Sequence, residues 1–90
     1  MNQGELVKAL SKRFFLSQSE ALEIIRFTLS EMTQDLKKGE RVYFRGFGSL
    51  HRRRLESKRL RHPVTGEMME VPARNTVDFE PAEDLLEEIN

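Results

Sequence analysis

The sequence predicts an α+β domain: two N-terminal helices, a three-stranded antiparallel sheet carrying a long β-hairpin arm, and a short C-terminal helix. Three observations lead there. The first forty residues repeat apolar side chains at helical spacing around a capping box. From Arg41 the chain turns to β-type residues broken by glycine turns. Between them and the C-terminus, Arg52-Arg53-Arg54-Leu55-Glu56-Ser57-Lys58-Arg59-Leu60-Arg61-His62-Pro63 holds six Arg or Lys and only two apolar side chains. That stretch cannot bury itself in its own core.

The first helix is expected from Gln3 to Phe14. Asn2 and Glu5 form an N-cap pair. Leu6, Val7, Leu10 and Phe14 make one apolar stripe, and Phe15-Leu16 breaks it. Ser17-Gln18-Ser19-Glu20 then reads as a capping box, with Leu16 and Ala21 placed for a hydrophobic staple. The apolar set Ala21, Leu22, Ile24, Ile25, Phe27, Leu29, Met32 and Leu36 covers more than one face of the second helix. One face suits the first helix; the other requires a second partner. Gly39 closes the helix after Lys37 and Lys38, which favour the negative end of its dipole.

Arg41–Phe44 is a short strand by residue type, and Arg45-Gly46-Phe47-Gly48 a tight turn. Ser49–Arg52 resumes the strand and runs into the arm. The arm turns at His62-Pro63-Val64-Thr65-Gly66 and returns through Glu67–Pro72 to a core strand at Thr76–Phe79. Pro81 suits the first turn of a last helix. That helix would then carry like-charged pairs four apart at Glu80/Asp84, Glu83/Glu87 and Asp84/Glu88, each costing about 0.2–0.5 kcal/mol.

Ninety residues form one small domain. A core of that size is thin, so oligomerisation is expected. With no cysteine there is no disulfide framework and no thiolate metal site. No apolar run approaches the length of a membrane span, and the first residues lack the pattern of a signal peptide, so a cytoplasmic setting is the expectation. His51 and His62 lack a second ligand at metal spacing, and no Ser/His/Asp grouping stands out. Neither a cofactor, a small-molecule substrate nor a catalytic site is expected.

Net charge is zero, with fifteen Lys and Arg against fifteen Asp and Glu, but the charges are segregated. Residues 1–40 balance six bases against six acids. Residues 41–76 hold nine bases and three acids, and 77–90 six acids and no base. Charge runs are commonly solvated faces. A run on a hairpin favours a polyanion instead, because an extended strand from Leu55 to Pro63 reaches roughly 25–30 Å and exposes guanidinium forks suited to phosphates and to the minor groove. Pro63 is either a turn proline or an apolar wedge at the arm tip. Gly46-Phe47-Gly48 is either a packed turn or one whose backbone N–H groups meet a phosphate.

Taken in order, the capped helical pair, Gly39-Glu40, Gly46-Phe47-Gly48, the Arg-rich arm, Arg61-x-Pro63-x-Thr65-Gly66, Pro72-Ala73 and Phe79-x-Pro81 resemble the bacterial HU/integration host factor family over the whole chain. The resemblance implies an intertwined dimer: residues 1–40 the helical dimerisation body, 41–80 the saddle sheet and DNA-binding arm, 81–90 an acidic C-terminal helix. It implies architectural binding of double-stranded DNA through minor-groove arms, largely without sequence specificity, with bending and nucleoid organisation. Pro63 would intercalate. Arg53, Lys58 and Arg61 would follow the groove or its phosphates, and Gly46 and Gly48 would approach the backbone. Arg45, Arg52, Arg54, Arg59, His62 and Arg74 complete the expected DNA-contacting set.

The chain departs from the family pattern in several places. His62 stands where asparagine is common, Leu60 where glycine is, and Leu55 where arginine is. Strand alternation should turn Arg52 and Arg54 away from Arg53. Relatives carry lysines around the last helix, where this chain has Glu80, Glu83, Asp84, Glu87 and Glu88. A homodimer is expected, with a heterodimer as the variant. The competing functions are a site-specific subunit like those of integration host factor, and a protein-interaction module whose DNA binding is weak or lost.

Overall fold

The computed structural model describes residues 1–90. Three helices and five strands follow in the order α1 (Gln3–Phe14), α2 (Gln18–Lys37), β1 (Val42–Phe44), β2 (Gly48–Leu55), β3 (Lys58–Arg61), β4 (Met68–Val71), β5 (Arg74–Pro81) and α3 (Glu83–Ile89). The chain divides into two compact units, Met1–Asp35 and Leu36–Asn90.

The first unit is a helical pair. Asn2 Oδ1 accepts the Glu5 N–H at 2.9 Å and starts α1. Phe15 ends it in a left-handed conformation, φ 57°, and Leu16 N–H reaches back to the Ser11 carbonyl. This cap is why the apolar pattern breaks at Phe15-Leu16. The capping box of α2 is made in both directions: Glu20 N–H donates to Ser17 Oγ at 3.0 Å, and Ser17 N–H donates to Glu20 Oε1 at 3.1 Å. The backbone hydrogen bond from Ser17, then that residue's hydroxyl, hold the Glu20 carboxyl below its ordinary range. A depressed carboxyl stabilises the fold above its unfolded-state pKa and loses that contribution as pH falls through the folded value. The cap therefore weakens only in acid.

Val7, Ala21 and Ile25 are the buried centre of this unit, with Leu6, Leu10 and Leu22 against them. Ile24 and Phe27 remain exposed on the other side of α2, and with Leu16 they line a shallow hollow there. This is the second apolar face the spacing predicts.

The second unit is built on the sheet β1-β2-β5, antiparallel throughout. Val42 faces Leu50, and Leu50 faces Phe79, while His51 faces Asp78 and Arg53 faces Thr76. Alternation therefore gives two faces. One carries Val42, Leu50, Val77 and Phe79; the other carries Tyr43, Ser49, His51, Arg53, Thr76, Asp78 and Glu80. β2 begins at Gly48 and extends to Leu55, so Arg52, Arg53 and Arg54 are paired strand residues.

The ladder stops at Leu55↔Arg74 and resumes at Lys58↔Val71, leaving Glu56-Ser57 opposite Pro72-Ala73 unpaired. Pro72 has no N–H to give a ladder. The arm is thus a separate two-stranded sheet, β3-β4, not a continuation of β2-β5.

The last helix corrects one expectation. Pro81 is the final residue of β5, opposite Gly48, and α3 starts at Glu83 after an extended Ala82. β5 is an edge strand, where a missing N–H can face out of the ladder. Glu80 consequently lies on the strand and makes no helical pair with Asp84. None of the helices is long and apolar enough to cross a membrane.

Candidate nucleic-acid interface

The arm presents its cations without internal partners. All four residues of β3 are exposed. Arg59 stands opposite Glu70 and Arg61 opposite Met68, so these two arginines share one face; Lys58, Leu60, Met69 and Val71 share the other. No acidic group comes within salt-bridge distance of Lys58, Arg59 or Arg61, nor of Arg45 or Arg74. Leu60 and Met69 face each other across the hairpin and supply its small apolar content.

At the tip, His62 N–H donates to the Glu67 carbonyl at 2.7 Å and Gly66 N–H to the His62 carbonyl at 2.9 Å. Pro63 begins the three-residue turn between them. Beside it Val64 is 86% exposed. Pro63 and Val64 thus form an apolar point on a charged hairpin, and Val64 belongs to the tip although composition gave no reason to select it.

The bases of β2 are differently placed. Arg52 and Arg54 lie on the face opposite Arg53. Arg52 Nη1 donates to the carbonyl of Lys37, the last residue of α2, at 3.0 Å. A guanidinium there satisfies a carbonyl that the helix end leaves open and complements the dipole. Arg54 pairs with Glu56 at 3.3 Å. Arg53 Nε donates to Asp78 Oδ2 at 2.6 Å, and His51 Nε2 lies 3.9 Å from the same oxygen. Asp78 is 27 residues from His51, so only the antiparallel register reveals the cluster. There is no group of three or more His, Cys, Asp and Glu arranged to hold a metal.

The glycine turn has two distinct parts. A Cβ on Gly48, at φ 151°, would sit 2.5 Å from the Glu80 carbonyl oxygen and 2.8 Å from the Phe79 ring. Gly48 is fixed by this close packing, alongside the Phe47–Phe79 ring contact at 5.4 Å. Gly46, at φ 79°, has open space around it, but the nearest atom to a Cβ there is Asp84 Oδ2 at 3.9 Å. That carboxylate places negative charge beside the turn. The acids of α3 form no ion pair, and neither does Glu80. The surface therefore separates into a basic arm and an acidic end, with the arginines of β2 between them already engaged.

Comparison with known proteins gives one consistent answer. The profile of the bacterial DNA-binding protein family matches residues 1–90. The chain is 34% identical to the DNA-binding protein HU of Geobacillus stearothermophilus over 85 residues, 94% of each chain. It is 32% identical to integration host factor subunit beta of Halorhodospira halophila, covering all of this chain and 89% of that one. Among solved structures, the Anabaena HU–DNA cocrystal structure is similar at a TM-score of 0.85 and 29% identity, covering 99% of this chain and 97% of that one.

Proposed function

This chain belongs to the bacterial DNA-binding protein family, together with the HU proteins and the integration host factor subunits, and from that premise we propose that a dimer of it binds duplex DNA with two basic arms and bends it, largely without sequence specificity. The observation that carries this reading is the arm: Lys58, Arg59 and Arg61 unpaired on an exposed hairpin that ends in Pro63. Cations so placed neutralise phosphates, and a proline at such a tip suits a wedge between base steps. A nucleoid-associated role in organising DNA follows.

A second copy accounts for the apolar surface. Ile24, Phe27 and Leu29 in one unit, and Tyr43, Phe44, Phe47, Val77 and Phe79 in the other, are all exposed. Each unit by itself exposes several large apolar side chains, and exposed apolar patches mark protein–protein contacts. Residues 1–40 then serve as the dimerising body, 41–80 as the sheet and arm, and α3 as an acidic flank. Contact with DNA falls to Lys58, Arg59, Arg61, Pro63 and Arg74, with His62 in the turn that carries Pro63. Arg45, Gly46 and Gly48 would touch the flanking backbone, and Arg53 and Arg54 would do so once their ion pairs open. Arg52 supports the site from behind through Lys37.

The deciding experiment is titration with a short duplex at moderate salt, read by anisotropy for binding and by end-to-end energy transfer for bending. Saturable binding with shortening of the duplex supports the reading; no binding, or binding only to acidic protein, defeats it. Pro63→Ala is expected to reduce bending more than affinity, and an equal loss of both would indicate tethering without a wedge.

Asp78 competes with phosphate for Arg53. Removing its charge in Asp78→Asn is expected to tighten duplex binding by about twofold to thirtyfold, since an exposed pair is worth about 0.2–1 kcal/mol and a dimer carries two. The salt dependence should steepen by about one unit per freed arginine. An unchanged isotherm would show that DNA does not reach this face.

A further inference from the structure

The imidazole of His62 makes contacts that the functional reading above does not use. Its Nδ1 accepts the N–H of Val64 at 3.2 Å and the N–H of Thr65 at 3.2 Å. These are the two amides that follow Pro63. The same turn is closed by backbone bonds from His62 to Glu67 and from Gly66 to His62, and by Glu67 N–H to Thr65 Oγ1 at 3.3 Å. No other side chain reaches the Val64 and Thr65 amides.

We propose that His62 is a positioning residue that locks the arm tip in the conformation presenting Pro63, and that it does so only as the neutral imidazole. The logic is that of an Asx turn, in which a side-chain acceptor binds N–H groups two and three residues on. A nitrogen that accepts cannot carry a proton, so the ring must be the tautomer protonated at Nε2. Adding a second proton puts an N–H at Nδ1 against two N–H donors. Both hydrogen bonds are lost, and three donors face one another. The charged residues next to His62 along the hairpin are Arg61, which precedes it on β3, and Glu67, whose carbonyl accepts its N–H; neither forms a salt bridge with the ring. The imidazolium gains no partner to offset the lost turn.

For DNA the two consequences have opposite signs. Protonation adds positive charge next to a polyanion, which favours binding. It also releases the turn that aims Pro63, which disfavours bending. Bending and binding should therefore separate with pH. Asparagine at this position would supply an acceptor that does not titrate.

This inference rests on the wedge reading of the arm, and the experiment keeps the two apart. Amide resonances of Val64 and Thr65 are followed in the free protein from about pH 7.5 to about pH 5.5. Duplex bending is measured over the same range for the wild type, His62→Asn and His62→Leu. The expected result is that both amides follow pH in the wild type, that bending falls by about half or more while affinity holds or rises, that His62→Asn bends at every pH, and that His62→Leu bends poorly at every pH. His51 remains in all three proteins, so a pH response originating at the His51–Asp78 contact would persist in His62→Asn. Amides indifferent to pH, or an unaltered response in His62→Asn, would overturn the lock. Amides that titrate in a protein that does not bend DNA at about pH 7.5 would uphold the lock and overturn the bending function.

Discussion

Raising monovalent salt from about 50 to about 200 mM is expected to weaken duplex binding about a thousandfold. Lys58, Arg59 and Arg61 have no internal partner, so a dimer offers six free cations on its two arms. Each phosphate neutralised contributes about 0.9 to the slope of log affinity against log salt, which gives a slope near −5. The bases of β2 contribute little to this figure. Arg53 and Arg54 already hold carboxylates, and Arg52 holds the end of α2. Anisotropy titrations across the salt range measure the slope directly, and a value shallower than about −2 would mean that the arms do not engage phosphates. Replacing Lys58, Arg59 and Arg61 together by alanine should remove most of the slope, leaving the share of Arg45 and Arg74, whereas replacing Arg52 should leave it nearly unchanged.

The second large effect lies at the other end of the charge map. Reversing Glu83, Asp84, Glu87 and Glu88 to lysine is expected to lengthen the DNA footprint and raise affinity more than tenfold at about 100 mM salt, because flanking phosphates that α3 now repels would be neutralised. Nuclease footprints and the shortest duplex giving full affinity both report it. The four positions are not equivalent. Glu83 and Asp84 occupy the first turn of α3, where acids are favourable to the dipole. Lysine there costs helix stability, while Glu87 and Glu88 lie beyond that turn. The Glu87/Glu88 double reversal is therefore the cleaner half of the test. A footprint unchanged in both variants would show that the duplex never bends back to α3.

Local chemistry was readable from sequence. Asn2-Glu5 and Ser17-Glu20 set the helix starts because a cap is made within four residues. The two apolar faces of α2 followed from periodicity, and so did the opposition of Arg52 and Arg54 to Arg53. What escaped depends on register. Pro81 carries the same local signal at a strand end as in a helical first turn, and only pairing with Gly48 decides between them. Glu80 was assigned to the wrong element for the same reason. Asp78 looked like one more acid of the C-terminal cluster until the β2-β5 ladder set it beside Arg53 and His51. The candidate site was legible as a set of bases, but not in which of them are free. That depends on which carboxylates or carbonyls the fold brings to them; at Gly48 close packing against β5 is by itself enough to require glycine, a constraint visible only in the register.

The unpaired Glu56-Ser57 and Pro72-Ala73 segments have a consequence for how such a protein can vary. Register in β2-β5 is anchored at the Gly48↔Pro81 end, and register in β3-β4 at the His62–Glu67 turn. An insertion or deletion of matched residue pairs in the arm is absorbed at the gap and never transmitted to the sheet. Steps of two residues per strand keep every side chain on its face, and each such step changes reach by about 6.6 Å. Arm length is therefore an adjustable dimension, open to selection or to engineering, with the dimer body left untouched.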